Sequence, residues 1–262
     1  MLLVIDVGNT NTVLGVYAGA DLRGHWRLST NREQTADEYG ILIRNLLSLD
    51  GMQASSIKHV MVASVVPPLN TLLEEMAAKY FRLKPVFLGP GTRTGMAILY
   101  DNPQDVGADR IANAVAAYEK LGGPCVVVDF GTAVTFDVVS ARGEYLGGLI
   151  APGIGVAAEA LFQRAARLPR VEIREPETVI GSNTIGSMQS GLYYGAIGLV
   201  DGILDRLFTV LGKTTKIVAT GGQAQLVAAA SKYELPVDSS LTLEGLRIIY
   251  ERHATSTRRK SS

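Results

Sequence analysis

Two short turns, each directly after an apolar strand, combine an acid, a glycine and small polar side chains. The first, Asp6-Val7-Gly8-Asn9-Thr10-Asn11, follows Leu2–Ile5, and the second, Asp129-Phe130-Gly131-Thr132, follows Val126–Val128. Glycine lets backbone N–H groups face an anion at close range, and hydroxyl and amide side chains add donors. A carboxylate repels phosphate, so its expected task in such a turn is to hold a metal ion or its waters. The turns therefore predict a site for a metal-bound nucleotide.

A third glycine turn, Thr220-Gly221-Gly222, ends the apolar strand Lys216–Ala219. A single Asp-x-Gly sequence is more often an ordinary hairpin turn. Three glycine turns at strand ends favour phosphate binding, because two matched units and a later Gly-Gly turn are hard to obtain by chance. Neither the Walker A pattern nor the Rossmann fingerprint occurs in the required context. The first turn contains no lysine, so we expect bound cations to supply positive charge there.

The segment Gly107-Ala108-Asp109-Arg110 sets a carboxylate beside a guanidinium at the start of a predicted helix. In most such pairs the acid complements the helix dipole and the arginine is solvated. The alternative is an acceptor site, in which Asp109 takes a proton from a substrate hydroxyl and Arg110 attracts an anionic group. The segment alone leaves both interpretations open.

The elements that position these turns form two similar halves. In each half the pattern predicts a strand, an Asp-x-Gly turn and a returning strand, at Thr12–Tyr17 in the first and Val134–Val139 in the second. We predict an N-terminal domain over 1–120, a C-terminal domain over 121–253 and a disordered basic tail over 254–262.

Helices are predicted between and after these strands, and one of them is unusually rich in glycine. The apolar spacing predicts helices at 35–47, 69–80, 108–118, 153–167, 184–211 and 243–253. The helix 184–211 carries Gly191, Gly195, Gly198 and Gly202. Each glycine costs about 1 kcal/mol relative to alanine in a helix interior. Close approach of another helix, within the chain or between subunits, is the expected compensation.

Composition and charge exclude several classes of protein. The chain has 262 residues, 47% apolar and 19% charged, which is typical of a soluble globular protein of two domains. Lysine plus arginine equals aspartate plus glutamate at 25 each, so the overall charge indicates no nucleic-acid or membrane partner. No signal peptide is evident, and the most membrane-like stretch, 145–158, is too short to span a bilayer. These features predict a cytoplasmic protein.

Cysteine and histidine usage predicts no metal cluster of the zinc type. Cys125 precedes Val126–Val128, where a small apolar thiol is expected in a buried strand rather than as a nucleophile. The three histidines, His25, His59 and His253, are scattered along the sequence.

The three glycine turns resemble the phosphate-1, phosphate-2 and adenosine motifs of the actin-like ATPase superfamily, which includes sugar kinases, acetate kinase and Hsp70. This resemblance implies an α/β fold of two ribonuclease H-like domains, with mixed β-sheets flanked by helices and nucleotide in the interdomain cleft. A closer resemblance, to type III pantothenate kinase, runs in register from residue 1 to about 252. Its motifs are, in order, Asp6–Asn11, Tyr100-Asp101-Asn102-Pro103, Gly107-Ala108-Asp109-Arg110, Asp129-Phe130-Gly131-Thr132-Ala133, Gly147-Gly148 with Ala151-Pro152-Gly153, Gly181-Ser182-Asn183-Thr184 and Ala219-Thr220-Gly221-Gly222.

The resemblance implies a transferase that phosphorylates the primary hydroxyl of pantothenate with ATP, giving 4'-phosphopantothenate in the first step of coenzyme A biosynthesis. It implies a homodimer that needs Mg²⁺ and either K⁺ or NH₄⁺, with Asp109 as proton acceptor. It places monovalent-cation binding at Asp129, and Asp6 would hold Mg²⁺ through water. Pantothenate would be held by Tyr100, Gly107, Ala108, Asp109, Arg110 and, across the dimer interface, Thr184. ATP would be bound by Asp6, Val7, Gly8, Asn9, Thr10, Asn11, Thr12, Val13 and Thr132.

Two other functions fit the same motifs less well. Proteins resembling Bvg accessory factor share the implied fold and are linked to transcriptional control. Such a regulator could lose Asp109 or the phosphate turns, but both are intact, and no helix shows a basic face suited to DNA. A polyphosphate or nucleotide phosphatase would need a water-positioning acid and no organic acceptor pocket.

Overall fold

Two mixed β-sheets, each with helices packed on it, form the framework of the chain. The structure is a computed structural model and describes residues 1–258. The strands are β1 (Leu2–Val7), β2 (Asn11–Ala18), β3 (Asp21–Ser29), β4 (His59–Ser64), β5 (Val86–Phe87), β6 (Ala97–Ile98), β7 (Cys125–Phe130), β8 (Ala133–Val139), β9 (Glu144–Pro152) and β10 (Lys216–Thr220). The helices are α1 (Ala36–Leu49), α2 (Pro68–Met76), α3 (Ala108–Leu121), α4 (Ile154–Arg164), α5 (Thr184–Leu211), α6 (Ala224–Ala228) and α7 (Leu241–Arg258), with single helical turns at Ala54–Ser56, Ala77–Phe81 and Pro103–Asp105.

The chain divides into two compact units. The first is Met1–Ala116 together with the segment that begins at Ser240, and the second is Ala117–Ser239. The division falls inside α3, a few residues before the boundary predicted after residue 120. The final helix differs from the prediction: it was assigned to the second domain and belongs to the first unit.

The reason for that difference is the packing of α7 inside the first unit. Helix α7 contacts β1, β2 and β4. It also lies close to α3, because a Cβ on Gly245 would be 2.0 Å from the backbone oxygen of Ala112. Glycine at position 245 therefore permits a helix approach that no periodicity argument reveals.

The first sheet has the strand order β3-β2-β1-β4-β5. Strand β1 pairs antiparallel with β2 and parallel with β4, and its near-continuous apolar sequence is buried on both faces. Leu3 and Ile5 share a core with Ile43 of α1 and Leu73 of α2. Helix α1 begins with a capping box, since the Thr35 side chain accepts from the Glu38 N–H and the Glu38 side chain accepts from the Thr35 N–H.

The second unit repeats this arrangement, which confirms the internal repeat. Strand β7 pairs antiparallel with β8 and parallel with β10, and the order within the unit is β10-β7-β8-β9. Phe136 of β8 packs in one core with Val200 and Leu204 of α5. Cys125 lies buried in β7, where burial raises the pKa of its thiol to about 11. The prediction that Cys125 lies in a buried strand is therefore confirmed.

Several elements differ from the sequence-based expectations, and the two-residue strand β6 is one that was not predicted. Strand β3 was not predicted, although half-buried and exposed residues alternate along it. Leu22, Trp26 and Leu28 are among the half-buried ones. The short helix α6 was also missed. Helix α7 continues through residues 254–258, where a disordered tail was predicted, and Thr255 Oγ1 donates to Glu251 O at 2.8 Å. Residues 259–262 of that prediction lie outside the described part of the chain.

Membrane insertion receives no support from the helices of residues 1–258. Not one of them is both long enough and apolar enough to cross a bilayer.

Candidate active site

In the first unit, the turn between β1 and β2 is closed by its own backbone. Gly8 N donates to Asn11 O at 2.9 Å. A Cβ on Gly8 would lie 3.0 Å from that oxygen, which explains the glycine. The register pairs Asp6 with Val13 at the end of the strands. Asn9 is exposed at the tip of the turn, where a ligand could reach it.

Thr30, which was not among the predicted site residues, joins this turn to the end of β3 by hydrogen bonds. Its hydroxyl donates to Gly8 O at 2.7 Å, and its N–H donates to Thr10 O at 2.9 Å. The hydroxyl oxygens of Thr30 and Thr12 are 2.9 Å apart, and the Thr12 side chain is fully buried. Thr12 and the equally buried Val7 therefore shape the turn from inside, with their side chains directed away from its surface.

Replacing Thr30 by valine is expected to lower the free energy of unfolding by about 1–3 kcal/mol, because Gly8 O and the buried Thr12 hydroxyl each lose a partner. Urea denaturation of the full chain measures the change. The control is Thr209→Val, which removes one exposed hydrogen bond from Thr209 Oγ1 to Asp205 O. That change should stay within about 0.5 kcal/mol. Equal destabilisation by the two variants would contradict the role given to Thr30.

A guanidinium lies beside the first turn. Arg32 Nη2 donates to the Asn9 side-chain oxygen at 3.2 Å. The first turn contains no lysine, and bound cations alone were expected to supply positive charge there, but Arg32 adds a fixed charge from the segment that follows β3. Because the pair is exposed, solvent and salt screen its field.

In the second unit, three glycine-containing segments meet at one edge of the sheet. The second turn is closed by Gly131 N donating to Ala133 O at 3.0 Å. Gly153, at the end of β9, donates its N–H to Thr132 O at 3.1 Å. A Cβ on Gly153 would come within 2.5 Å of that same oxygen. The second turn is thus held from one side by backbone that only glycine allows.

The third turn closes on Asp129 from the neighbouring strand. The parallel register pairs Thr220 with Asp129, so the chain leaves β10 beside that carboxylate. Gly221 has φ +96°, and a Cβ there would be 2.6 Å from Asp129 Oδ1. Glycine is needed here both for its backbone conformation and for space. The Asp129 carboxylate therefore borders a small space beside Gly221, called the cradle below, which a single methyl group on Gly221 would fill.

The surroundings of Asp129 can be compared with those of a metal centre built from several protein side chains. Within residues 1–258, no three His, Cys, Asp or Glu side chains come together as a metal site. A cation near Asp129 would share one carboxylate with neutral protein oxygens, water or substrate phosphates, as Mg²⁺ and other hard cations commonly do.

Asp109 lies in the first turn of helix α3, with its carboxylate folded back over the preceding turn. Asp109 Oδ1 accepts from Arg110 N at 2.8 Å. A Cβ on Gly107 would be only 2.5 Å from the same oxygen, so a side chain at that position would displace the carboxylate. Burial raises the pKa of the Asp109 carboxyl above its ordinary value, while the Arg110 N–H and guanidinium act in the opposite direction. Arg110 is only 8% exposed, so this is not the solvated surface pair of the first interpretation.

Tyr100 and Thr184 occupy different surroundings. Tyr100 is 37% exposed and precedes a helical turn that Asn102 caps by accepting from Gln104 N. Thr184 is exposed at the first position of α5, after Asn183, whose side chain accepts from Gly186 N at 2.9 Å.

Thr184 also lines a cavity of about 670 Å³ in the second unit. The lining residues are Leu161, Leu168, Gly181, Ser182, Asn183, Thr184, Ser187, Met188, Gly191 and Leu192. None of them belongs to the second or third glycine turn. Within the second unit, the structure therefore brings Asp129, Thr132 and Gly221 together but leaves Thr184 at a separate surface.

Comparison with known proteins finds relatives over nearly the whole length of the chain. A model of the family described as Type III pantothenate kinase matches residues 2–206. A protein named Type III pantothenate kinase from Koribacter versatilis is 58% identical over 270 residues, covering 99% of this chain and 98% of that protein. A protein of the same name from Myxococcus xanthus is 59% identical over 256 residues, covering 98% of this chain and 100% of that protein.

Solved structures show the fold. A protein from Campylobacter jejuni described as a Baf family transcriptional activator has a TM-score of 0.60 at 22% identity, covering 97% of this chain and 99% of its own. A protein from Sinorhizobium meliloti described as a 2-dehydro-3-deoxygalactonokinase has a TM-score of 0.57 at 11% identity, with 96% of each chain covered. The predicted fold class, the two-domain α/β architecture of the actin-like ATPases and sugar kinases, is thus confirmed. With family model and full-length relatives in agreement, this chain belongs to the type III pantothenate kinase family.

Proposed function

We propose that this chain transfers the γ-phosphoryl group of ATP to the primary hydroxyl of pantothenate, the first step of coenzyme A biosynthesis, with Asp109 as the base. The observation that carries the proposal is the partly buried Asp109 carboxylate, held over Gly107 at the start of α3. It lies in a chain that is 58% identical, nearly end to end, to a protein named for this activity.

Asp109 suits the modest proton transfer that this reaction requires. Phosphoryl transfer depends mainly on positioning and charge neutralisation, so the base need only orient the hydroxyl and accept its proton late. A carboxyl whose pKa is raised by burial is a stronger base than an ordinary aspartate. The Arg110 N–H holds one carboxylate oxygen and fixes its direction.

The acceptor site is built from the same helix start. Pantothenate carries a carboxylate, which the buried Arg110 guanidinium and the N–H groups of the first turn of α3 attract. Tyr100, Gly107 and Ala108 complete this side of the site. Thr184 reaches the substrate from a second copy of the chain.

The glycine turns hold ATP and its cations. In this proposal the segment Asp6–Val13 and Thr132 bind the phosphates, Asp129 binds K⁺ or NH₄⁺, and Asp6 holds Mg²⁺ through water. When bound, these cations supply positive charge that offsets the charge of the phosphates. The cradle that Gly221 leaves around Asp129 supports this assignment, as does the guanidinium of Arg32 beside Asn9.

The active form is a homodimer, with α5 at the interface. Cβ atoms added to Gly191, Gly195 and Gly198 would have nothing within 4 Å, so no helix of the described chain accounts for these glycines. The exposed apolar side chains of Ile185 and Tyr194 lie on the same helix. Close approach of a second α5 offsets the cost of the glycines and covers the apolar surface.

Replacing Gly195 by leucine is expected to convert the dimer to a monomer, because the new side chain occupies the space needed by the partner helix. Size-exclusion chromatography with light scattering measures the mass. Thr209→Leu, at an exposed position farther along α5, is the control and should remain dimeric. A dimeric Gly195→Leu variant would refute this interface, and a monomer that still unfolds cooperatively shows that the substitution spared the fold.

The non-enzymatic regulator is not favoured as the alternative. The solved protein described as a transcriptional activator is only 22% identical to this chain and informs the fold alone. Proteins named Type III pantothenate kinase reach 59% identity. Asp109, Asp129 and the three glycine turns are all present.

A coupled ADP-release assay tests the function. Purified full-length protein with ATP and Mg²⁺ is expected to release ADP only when pantothenate is added, and faster with K⁺ than with choline at equal ionic strength. ADP release that ignores pantothenate would instead indicate a nucleotide phosphatase. Absence of ADP in every condition would favour the regulator.

A further inference from the structure

A row of oxygen-bearing side chains crosses the second sheet at Asp129. The pairing registers set Asp129 of β7 opposite Thr135 of β8 and beside Thr220 of β10. Side chains at directly paired positions project from the same face of a sheet, with Cβ atoms about 4.5–5.5 Å apart in an antiparallel pair. The Asp129 carboxylate is therefore flanked by two hydroxyl groups. Asp129 and Thr135 are both partly exposed, so solvent ions can reach them.

Behind this row lies a carboxylate that the proposed reaction does not use. Asp137 is fully buried on the same face of β8, two residues after Thr135. Its neighbours across the sheet are Val127 of β7 and Gly148 of β9. A carboxylate is costly to bury among such residues unless hydrogen bonds hold it. Its presence inside the sheet therefore calls for a reason.

The hydrogen bonds of Asp137 connect it to the row. Thr135 Oγ1 donates to Asp137 Oδ2 at 3.2 Å, and the buried Tyr145 hydroxyl donates to Oδ1 at 2.7 Å. A carboxylate can only accept, so the hydroxyl hydrogen of Thr135 is directed towards Asp137. The lone pairs of Thr135 Oγ1 are then the part of the group left for a cation or a donor such as ammonium.

We propose that Thr135 Oγ1 contributes to the monovalent-cation site of Asp129, and that Asp137 is the positioning residue that orients it. The inference rests on the proposed function, in which Asp129 binds K⁺ or NH₄⁺. One carboxylate with neutral hydroxyl oxygens is a donor set of the kind that hard cations take, and its single negative charge matches a monovalent ion.

The test measures cation binding through thermal unfolding, without turnover. Full-length protein with Mg²⁺ and a non-hydrolysable ATP analogue is unfolded in KCl and in choline chloride at equal ionic strength. For the wild type, Tm should be higher in KCl. Asp129→Asn and Thr135→Val should lose this increment, while Thr135→Ser, which keeps the hydroxyl, should retain it. Asp137→Asn should raise the KCl concentration that gives half of the maximal Tm increase by about tenfold or more.

Tyr145→Phe separates a defect in folding from a defect in cation binding. It removes a buried hydrogen bond, so Tm should fall in both salts, yet the increment should remain because the Thr135–Asp137 contact is kept. A Thr135→Val variant with the wild-type increment would overturn the inference while leaving Asp129 and the kinase activity in place. A wild type with no increment would overturn both cation assignments, and the ADP-release assay reports separately on the kinase activity.

Discussion

Asp109→Asn is expected to lower kcat for phosphopantothenate formation by about 10²–10⁴-fold, the usual contribution of a general base. Asparagine keeps the size of the side chain and an oxygen to accept from Arg110 N, but it cannot take the hydroxyl proton. Burial raises the Asp109 carboxyl pKa, so the folded state disfavours the charged form at neutral pH. The variant should therefore unfold at the same temperature as the wild type or higher.

Activity and stability should respond to pH in opposite directions at this residue. Because the folded-state pKa of Asp109 lies above its unfolded value, its contribution to stability is present at low pH and declines as pH rises through the folded-state pKa. Activity needs the ionised form and should fall as pH drops through that same raised pKa. A pH profile of kcat/KM should thus have an acid limb above the range usual for aspartate.

The control for this prediction is Asp105→Asn, an exposed carboxylate that accepts from Asn102 Nδ2 in the helical turn before α3. It should leave kcat nearly unchanged. If Asp109→Asn keeps near-normal turnover, or if Asp105→Asn is equally damaging, the base assignment is wrong.

Gly221→Ala is expected to reduce kcat/KM by about 10²-fold, as displacements of about 1 Å in a phosphoryl-transfer site can do. The added methyl would lie 2.6 Å from Asp129 Oδ1 and from the backbone of Phe130, so the third turn must move away from the second. The backbone at φ +96° adds strain of about 1–2 kcal/mol for any L side chain.

Gly212→Ala separates these two effects. Gly212 has φ +94°, but a Cβ there would have nothing within 4 Å. In urea denaturation, the backbone strain should lower the free energy of unfolding by a similar amount in both variants. Gly221→Ala should show a further decrease beyond that amount. Only Gly221→Ala should lose activity. Equal kinetic defects in the two variants would mean that the cradle around Asp129 has no special role.

Much of the fold could be predicted because strand and turn signals in this sequence are local. The two Asp-x-Gly turns and the apolar strands around them predicted matched halves, and both sheets show the same pairing. Strand β3 was not predicted because Gly24 interrupts the alternation of apolar and polar residues along it. The position of α7 was not predicted because it depends on the contact of Gly245 with Ala112. These two residues are far apart in the sequence.

The candidate site could be predicted only in part, for a similar reason. The strand-end turns indicated Asp129 and the first turn, and the resemblance to the family indicated Asp109. Thr30 carries no motif, and its role depends on the pairing of β3 with β2. The closeness of Gly221 to Asp129 follows from a parallel register between strands about 90 residues apart in the sequence, and no local pattern specifies that register.

The most direct test of the account is to follow the γ-phosphoryl group itself. ATP labelled at the γ-phosphate is incubated with the purified chain, Mg²⁺, K⁺ and pantothenate, and the products are separated and identified by mass spectrometry. We predict that the label appears on the primary hydroxyl of pantothenate with wild-type protein and is nearly absent from that product with Asp109→Asn. Label found only in free phosphate, or equal transfer by the two proteins, would contradict it.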